Sequence, residues 1–159
     1  MFAIIFIAVL KNSISWVYAT FSLVGLAVLL MISIKVYKKY KGKKKIIGIC
    51  LGYQQILYCE KANIIQQKRI YHGYQSEVKV INKKSIFPKK FKFRVGRYHS
   101  LKLKEPFFSK NFEITMRCCK TNVAMAFENK IDDIYGFQFH PESFLTPNGK
   151  ILIKKILSA

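Results

Sequence analysis

The residues of this chain best placed to do chemistry are a cysteine between two glycines and a histidine two positions before a glutamate. Gly48-Ile49-Cys50-Leu51-Gly52 follows the β-branched run Lys44-Lys45-Ile46-Ile47-Gly48-Ile49 and precedes a stretch from Gln54 to Lys61 that reads as a helix. G-x-C-x-G between a strand and a helix has the shape of a nucleophile elbow. Such a turn strains the backbone at the nucleophile and calls for minimal side chains two residues away on each side. It would also expose the sulfur at a helix N-terminus, where the macrodipole favours thiolate. Taken alone, the pattern fits a buried structural cysteine between packing glycines equally well.

Phe139-His140-Pro141-Glu142-Ser143 comes after a second predicted strand, Ile134 to Phe139. A histidine just past a strand end can face the elbow of a neighbouring strand. A carboxylate two residues on, with Pro141 stiffening the turn, can fix the imidazole tautomer and stabilise its protonated form. An isolated histidine is more often a structural one. That reading weakens here because Cys50 and the His-x-Glu pair each close a predicted strand.

The elements that must position these groups are mostly strands. Glu77 to Ile81, Phe91 to Val95, Phe112 to Arg117 and Val123 to Phe127 alternate or are β-rich, and Gly149 to Leu157 has helical spacing. Strands with a few helices, the first unit being strand–turn–helix, point to an α/β sheet. With 159 residues, 51% of them hydrophobic, the chain is long enough for one domain with a buried core. The net charge of +20 raises nucleic acid as a partner. The excess, however, is Lys spread along the chain, with only Arg69, Arg94, Arg97 and Arg117 beside it, and it forms no basic-patch motif, so no nucleic-acid partner is expected. Cys50, Cys59, Cys118 and Cys119 form no C-x-x-C pair and imply a reducing compartment. Cys118 and Cys119 read as core or strand positions.

The first 31 residues are of another kind. No charge occurs from residue 12 to residue 34, a stretch that as a helix would span roughly 34 Å. Trp16 and Tyr18 stand near one end, and Lys35, Lys38, Lys39, Lys41, Lys43, Lys44 and Lys45 crowd the other. That is the pattern of a single membrane-spanning helix with its C-terminal side in the cytoplasm.

G-I-C-L-G-Y-Q-Q, R-Y-H-S-L and F-Q-F-H-P-E-S-F-L-T-P-N-G, in this order, resemble three blocks of the class I glutamine amidotransferases. Within that family, P-E-S-x-L-T-P-N-G and Tyr71-His72-Gly73 resemble the small subunit of anthranilate synthase or its near twin in para-aminobenzoate synthesis. The resemblance implies a three-layer, flavodoxin-like α/β domain over residues 32–159. It implies Cys50 as nucleophile, His140 as general base and acid, and Glu142 as its orienting partner. Leu51 would supply a backbone N–H to an oxyanion hole, and Gln54, Ser100 and Leu101 would bind glutamine. Tyr53 replaces a His or Gln beside the site. Tyr71, His72 and Gly73 resemble the surface turned toward a large synthase subunit, the partner that would use the ammonia on chorismate. The resemblance implies no metal or cofactor in this chain, and magnesium in the partner.

Residues 1–31 depart from the family pattern. Its opening D-N-x-D-S-F motif is absent, and Leu23-Val24-Gly25 stands where a P-G-P-G loop would supply glutamine contacts and a second oxyanion donor. The first βαβ unit is therefore expected to be missing, with an apolar N-terminal helix ahead of the domain. Either this stretch is a membrane anchor over residues 12–34 or, the favoured reading, it comes from a wrong start or a shifted reading frame. The expected location is cytoplasmic, with a membrane-anchored form as the alternative. Three roles compete: an active glutaminase subunit for the tryptophan or the folate branch, a non-catalytic remnant that only binds the synthase, and a tethered protein with a borrowed fold.

Overall fold

The computed structural model describes the backbone of residues 16–159 and the side chains from residue 24 onward. Its elements run α1 (Trp16–Tyr40), β1 (Ile46–Ile49), α2 (Leu51–Cys59), β2 (Ile64–Gln66), β3 (Tyr74–Val80), β4 (Lys92–Arg97), β5 (Leu101–Leu103), β6 (Glu113–Cys118), β7 (Ala124–Asn129), β8 (Ile134–Phe137) and α3 (Gly149–Leu157). Two compact units divide the chain, Met1–Val36 and Tyr37–Ala159. In the first, the described part is the body of α1, where Val24, Leu29, Met31 and Ile32 are exposed. Among the described residues no helix is long and apolar enough to cross a membrane. The span expected over residues 12–34 begins outside the described residues.

The second unit is built on a mixed six-stranded sheet in the order β1-β8-β7-β6-β3-β4, beside a two-stranded sheet of β2 and β5. Within the larger sheet β1 and β8 run parallel, and its other pairs are antiparallel. Side chains alternate across these strands, so the sheet has an apolar surface on both faces. One face buries Val78, Val95, Met125, Phe137 and Phe139 against Leu152 and Ile156 of α3. The other buries Ala124, Phe127 and Ile134 against Tyr53, Ile56 and Leu57 of α2. A helix on each face of the sheet gives the α/β layering that the sequence predicts. The sheet also curls. The end of β4, at its far edge, returns to the segment after β8, where Gly96 bridges His140.

Several boundaries differ from the sequence reading. Helix α2 begins at Leu51, not Gln54, because the elbow residue itself caps it. Strand β8 ends at Phe137, two residues early, because its neighbour β1 turns away into the elbow at Cys50. The three-residue strands β2 and β5 are absent from the sequence reading; they pair only with each other and are too short to show a period. Cys118 closes β6 and is buried, whereas Cys119 lies in the turn that follows.

Gly136 stands opposite Phe127 in the β7–β8 register. A Cβ at Gly136 would lie 2.3 Å from two atoms of the Phe127 ring. That ring is already stacked on Tyr53 and met edge-on by Phe112, so it has no room to withdraw. Gly136→Ala should therefore destabilise the fold by about 1–3 kcal/mol, the range for overpacking a close-packed core. Urea unfolding followed by circular dichroism measures this; an unchanged midpoint would mean that the ring gives way freely.

Candidate active site

Because β1 and β8 are parallel neighbours, their C-terminal ends open on one edge of the sheet. Ile49 and Phe137 are the last register pair, and the next amide on the β1 side, that of Cys50, still donates to the Phe137 carbonyl at 2.7 Å. Cys50 has φ 51° and ψ −98°, outside the regions a non-glycine residue adopts without strain. A strained cysteine that caps a helix directly after a strand has elbow geometry.

The two glycines do different work. A Cβ at Gly48 would lie 2.8 Å from the Gly52 backbone carbon, so Gly48 lets the strand and the first helical turn approach. A Cβ at Gly52 would meet nothing within 4 Å. The expectation that both must be minimal holds for Gly48 alone, because the crowding lies on its side of the turn.

The electrostatics of the thiol also differ from expectation. Burial pushes Cys50 up to about 11; the backbone N–H of Leu51 opposes this, and the carboxylate of Glu142 adds to it. Desolvation outweighs the helix N-terminus here.

His140 sits three residues past the β8 end and is held on several sides. Its amide donates to Gly96 O at 3.1 Å. Its carbonyl accepts from Thr146 Oγ1 at 2.6 Å, and the same hydroxyl oxygen accepts from Gly96 N at 2.9 Å. The ring packs against the Tyr98 ring, edge to face, with centroids 5.2 Å apart. Nδ1 lies 2.6 Å from Glu142 Oε1. An ionised carboxylate only accepts, so Nδ1 carries a proton, and in the neutral tautomer that this fixes the lone pair is on Nε2. Among the side chains described, Gln138 donates a hydrogen bond from Nε2 to the Cys50 sulfur at 3.9 Å.

The expected glutamine-binding residues fall in two places. Gln54, buried on the first turns of α2, donates from Nε2 to Gln138 Oε1 at 3.0 Å. Ser100 and Leu101 enter β5, and their conformation is set by a buried polar cluster. The Ser100 carbonyl accepts from Gln67 N at 2.9 Å, and the Leu101 carbonyl accepts from His99 Nδ1 at 2.7 Å. That contact puts the His99 proton on Nδ1 and leaves Nε2 to accept from Arg97 Nε at 3.0 Å. Burial, with the nearby Arg97 charge, pushes His99 down to about 4, so the ring is neutral. Arg97 is itself fully buried, its guanidinium 3.5 Å from the centroid of the Tyr71 ring.

Tyr53 turns its ring inward from α2. It is fully buried under the sheet and stacked on Phe127, because the third residue after Cys50 turns inward on the helix. Tyr71 does not offer its side chain to a partner surface, since it covers Arg97; His72 and Gly73 are the exposed members of that segment. Sequence reasoning missed Gln138, Gly96 and Arg97. A polar residue inside the apolar run Ile134 to Phe139 was the available signal for Gln138.

Comparison with known proteins gives the family. The glutamine amidotransferase class-I family matches residues 26–159. The bifunctional protein TrpGD of Thermotoga maritima is 39% identical over 128 residues, covering 80% of this chain and 21% of that protein. Anthranilate synthase component 2 of Lactococcus lactis is 35% identical, covering 76% of this chain and 62% of that one. Aminodeoxychorismate synthase component 2 of Klebsiella aerogenes is 31% identical, covering 80% of this chain and 67% of its own length. The chain thus spans about a fifth of the first relative and three-fifths of the second. Among solved structures, a glutamine amidotransferase from Thermotoga maritima superposes with a TM-score of 0.57 at 19% identity, over 82% of this chain and 56% of that one, which is a likeness of fold.

Gly149 ties the last helix to this site: a Cβ there would lie 1.7 Å from the Pro141 carbonyl oxygen, between His140 and Glu142. Gly149→Ala should destabilise by about 1–3 kcal/mol through that backbone clash. Gly52→Ala, in open space on a helix, should be neutral or stabilising by up to about 1 kcal/mol. Thermal midpoints of the two variants test the pair; the same sign for both would contradict the packing described here.

Proposed function

This chain belongs to the class I glutamine amidotransferases, and on that premise we propose that it is the glutamine-hydrolysing subunit of a chorismate-using synthase. The observation that carries the reading is the His140–Glu142 hydrogen bond, on the loop that leaves β8 beside the strained Cys50. In this reading His140 Nε2 takes the proton from the Cys50 sulfur. The thiolate attacks the side-chain carbonyl carbon of glutamine, and the oxyanion draws on the Leu51 N–H. The C–N bond then breaks, with His140 returning its proton to the leaving ammonia. Water, deprotonated by His140, cleaves the resulting thioester to glutamate. Glu142 steadies the imidazolium at each stage. Gln54, Ser100 and Leu101 hold the substrate.

The ammonia would pass to a large synthase subunit, with the exposed His72–Gly73 segment turned toward it. The component 2 names of the relatives support such a partner. Anthranilate formation is the first choice of product. The Klebsiella relative, an aminodeoxychorismate synthase component, keeps para-aminobenzoate formation as the second. The reaction as written needs no metal or cofactor from this chain, and magnesium would belong to the partner. Four free thiols support a reducing, cytoplasmic setting.

Reconstitution with the synthase subunit tests this. Cys50→Ala should abolish glutamine-dependent product formation and spare formation from added ammonia. His140→Ala should cost roughly 10²-fold or more of the glutamine-dependent rate. Glu142→Gln should cost less, because it orients and does not exchange protons with substrate. Glutamine-dependent turnover by Cys50→Ala at the wild-type rate would refute the assignment.

A further inference from the structure

Among the described residues, Gln138 is the one whose side chain bridges the candidate nucleophile and a candidate substrate-binding residue. It follows β8 directly, its amide donates to Met125 O at 2.9 Å, and its side chain is fully buried. A buried carboxamide is costly unless its polar atoms are engaged. Here Oε1 accepts from Gln54 Nε2 at 3.0 Å, and Nε2 reaches the Cys50 sulfur at 3.9 Å. In this orientation an N–H faces the sulfur, which would stabilise a thiolate, while Oε1 faces the Gln54 amide.

We propose that Gln138 is a further catalytic residue of the Cys50 site: its carboxamide donates an N–H to the sulfur as the thiolate forms, and its oxygen holds Gln54. The proposal rests on the glutaminase reading for its role in turnover, but its effect on the thiol does not. No proton leaves Gln138; the sulfur's proton still goes to His140. The need for such a donor is physical. Burial opposes ionisation of Cys50, and Glu142 adds to that opposition. The carboxylate of Glu142, on the loop after β8, acts on the sulfur, and His140 on the same loop is its hydrogen-bond partner. The neighbours that β1 and α2 bring, Ile49, Leu51 and Gln54, carry no charge.

The test is alkylation of Cys50 by iodoacetamide as a function of pH, in the full-length chain without glutamine, read by mass spectrometry of the Cys50 peptide. Gln138→Met removes the donor at similar volume and should move the alkylation midpoint up by about 1 pH unit. Gln138→Glu keeps the size, removes the donor and adds a negative charge, so it should move the midpoint further. A purely structural role would loosen the site and raise alkylation at every pH without moving the midpoint upward. An unchanged midpoint in folded Gln138→Met overturns the proposal, and if that variant does not fold, an unchanged midpoint in Gln138→Glu does. Since no glutamine is present, a failed glutaminase reading shows only in the turnover assay and is distinguishable from a failed alkylation shift.

Discussion

The Cys50 amide donates to the Phe137 carbonyl at 2.7 Å, one residue beyond the last register pair of two parallel strands. That bond fixes where the chemistry can be. Parallel strands end on the same side of a sheet, so the turn that leaves β1 and the segment that leaves β8 must share one edge. The side-chain period of two then decides which residues face each other. A slip of one residue would put Gly136 or Gln138 where Phe137 stands, turn the inward residues outward, and leave Cys50 facing the wrong atoms. The strain at Cys50 is tolerable because this pairing and the Gly48–Gly52 approach determine the turn from both sides.

The loop beyond β8 needs a separate clamp, because by Gln138 the parallel partner has gone. The curl of the sheet supplies it. The end of β4 comes round to place Gly96 against His140, and Thr146 closes the contact with one hydroxyl that donates to His140 O and accepts from Gly96 N. Gly96 has to be small, since a Cβ there would lie 2.8 Å from Ser143 Oγ. A buried hydrogen bond of this kind contributes about 1 kcal/mol, and leaving either partner unsatisfied costs more. The clamp is therefore better seen as a constraint on position than as a source of stability. It holds the His140 backbone while the Tyr98 ring and the Glu142 carboxylate set the ring's angle.

What could be read in the sequence follows from which of these constraints are local. The elbow, the His-x-Glu pair and most strands were legible because each is written in contiguous residues: a glycine pair around cysteine, a carboxylate two residues after histidine, a β-branched run. Strands β2 and β5 were not, because three residues show no period and their pairing joins segments far apart in the chain. The inward turn of Tyr53 and the burial of Tyr71 depend on what covers them, Phe127 in one case and Arg97 in the other. Gln138 stood in plain view within an apolar strand, but only the strand register shows that it faces Cys50. Of the residues at the candidate site, those that would do the chemistry were legible and those that hold them in place mostly were not.

The acid–base balance at Cys50 shows why the holding residues matter. A helix N-terminus is worth about 0.3–1 kcal/mol to an adjacent anion. The rise of the thiol from about 9 to about 11 is the larger effect and runs in the opposite sense. The net effect disfavours the thiolate in the resting site. A resting site of this kind is a poor spontaneous nucleophile. It depends on a base brought to the sulfur, and on donors that gain strength as charge develops in a buried place. In the proposed reaction the Nε2 lone pair left free by the Glu142 contact would meet the first need, and the Leu51 and Gln138 N–H groups would meet the second. Burial thus couples formation of the thiolate to the arrangement of the loop after β8, and through Gly96 to the far edge of the sheet.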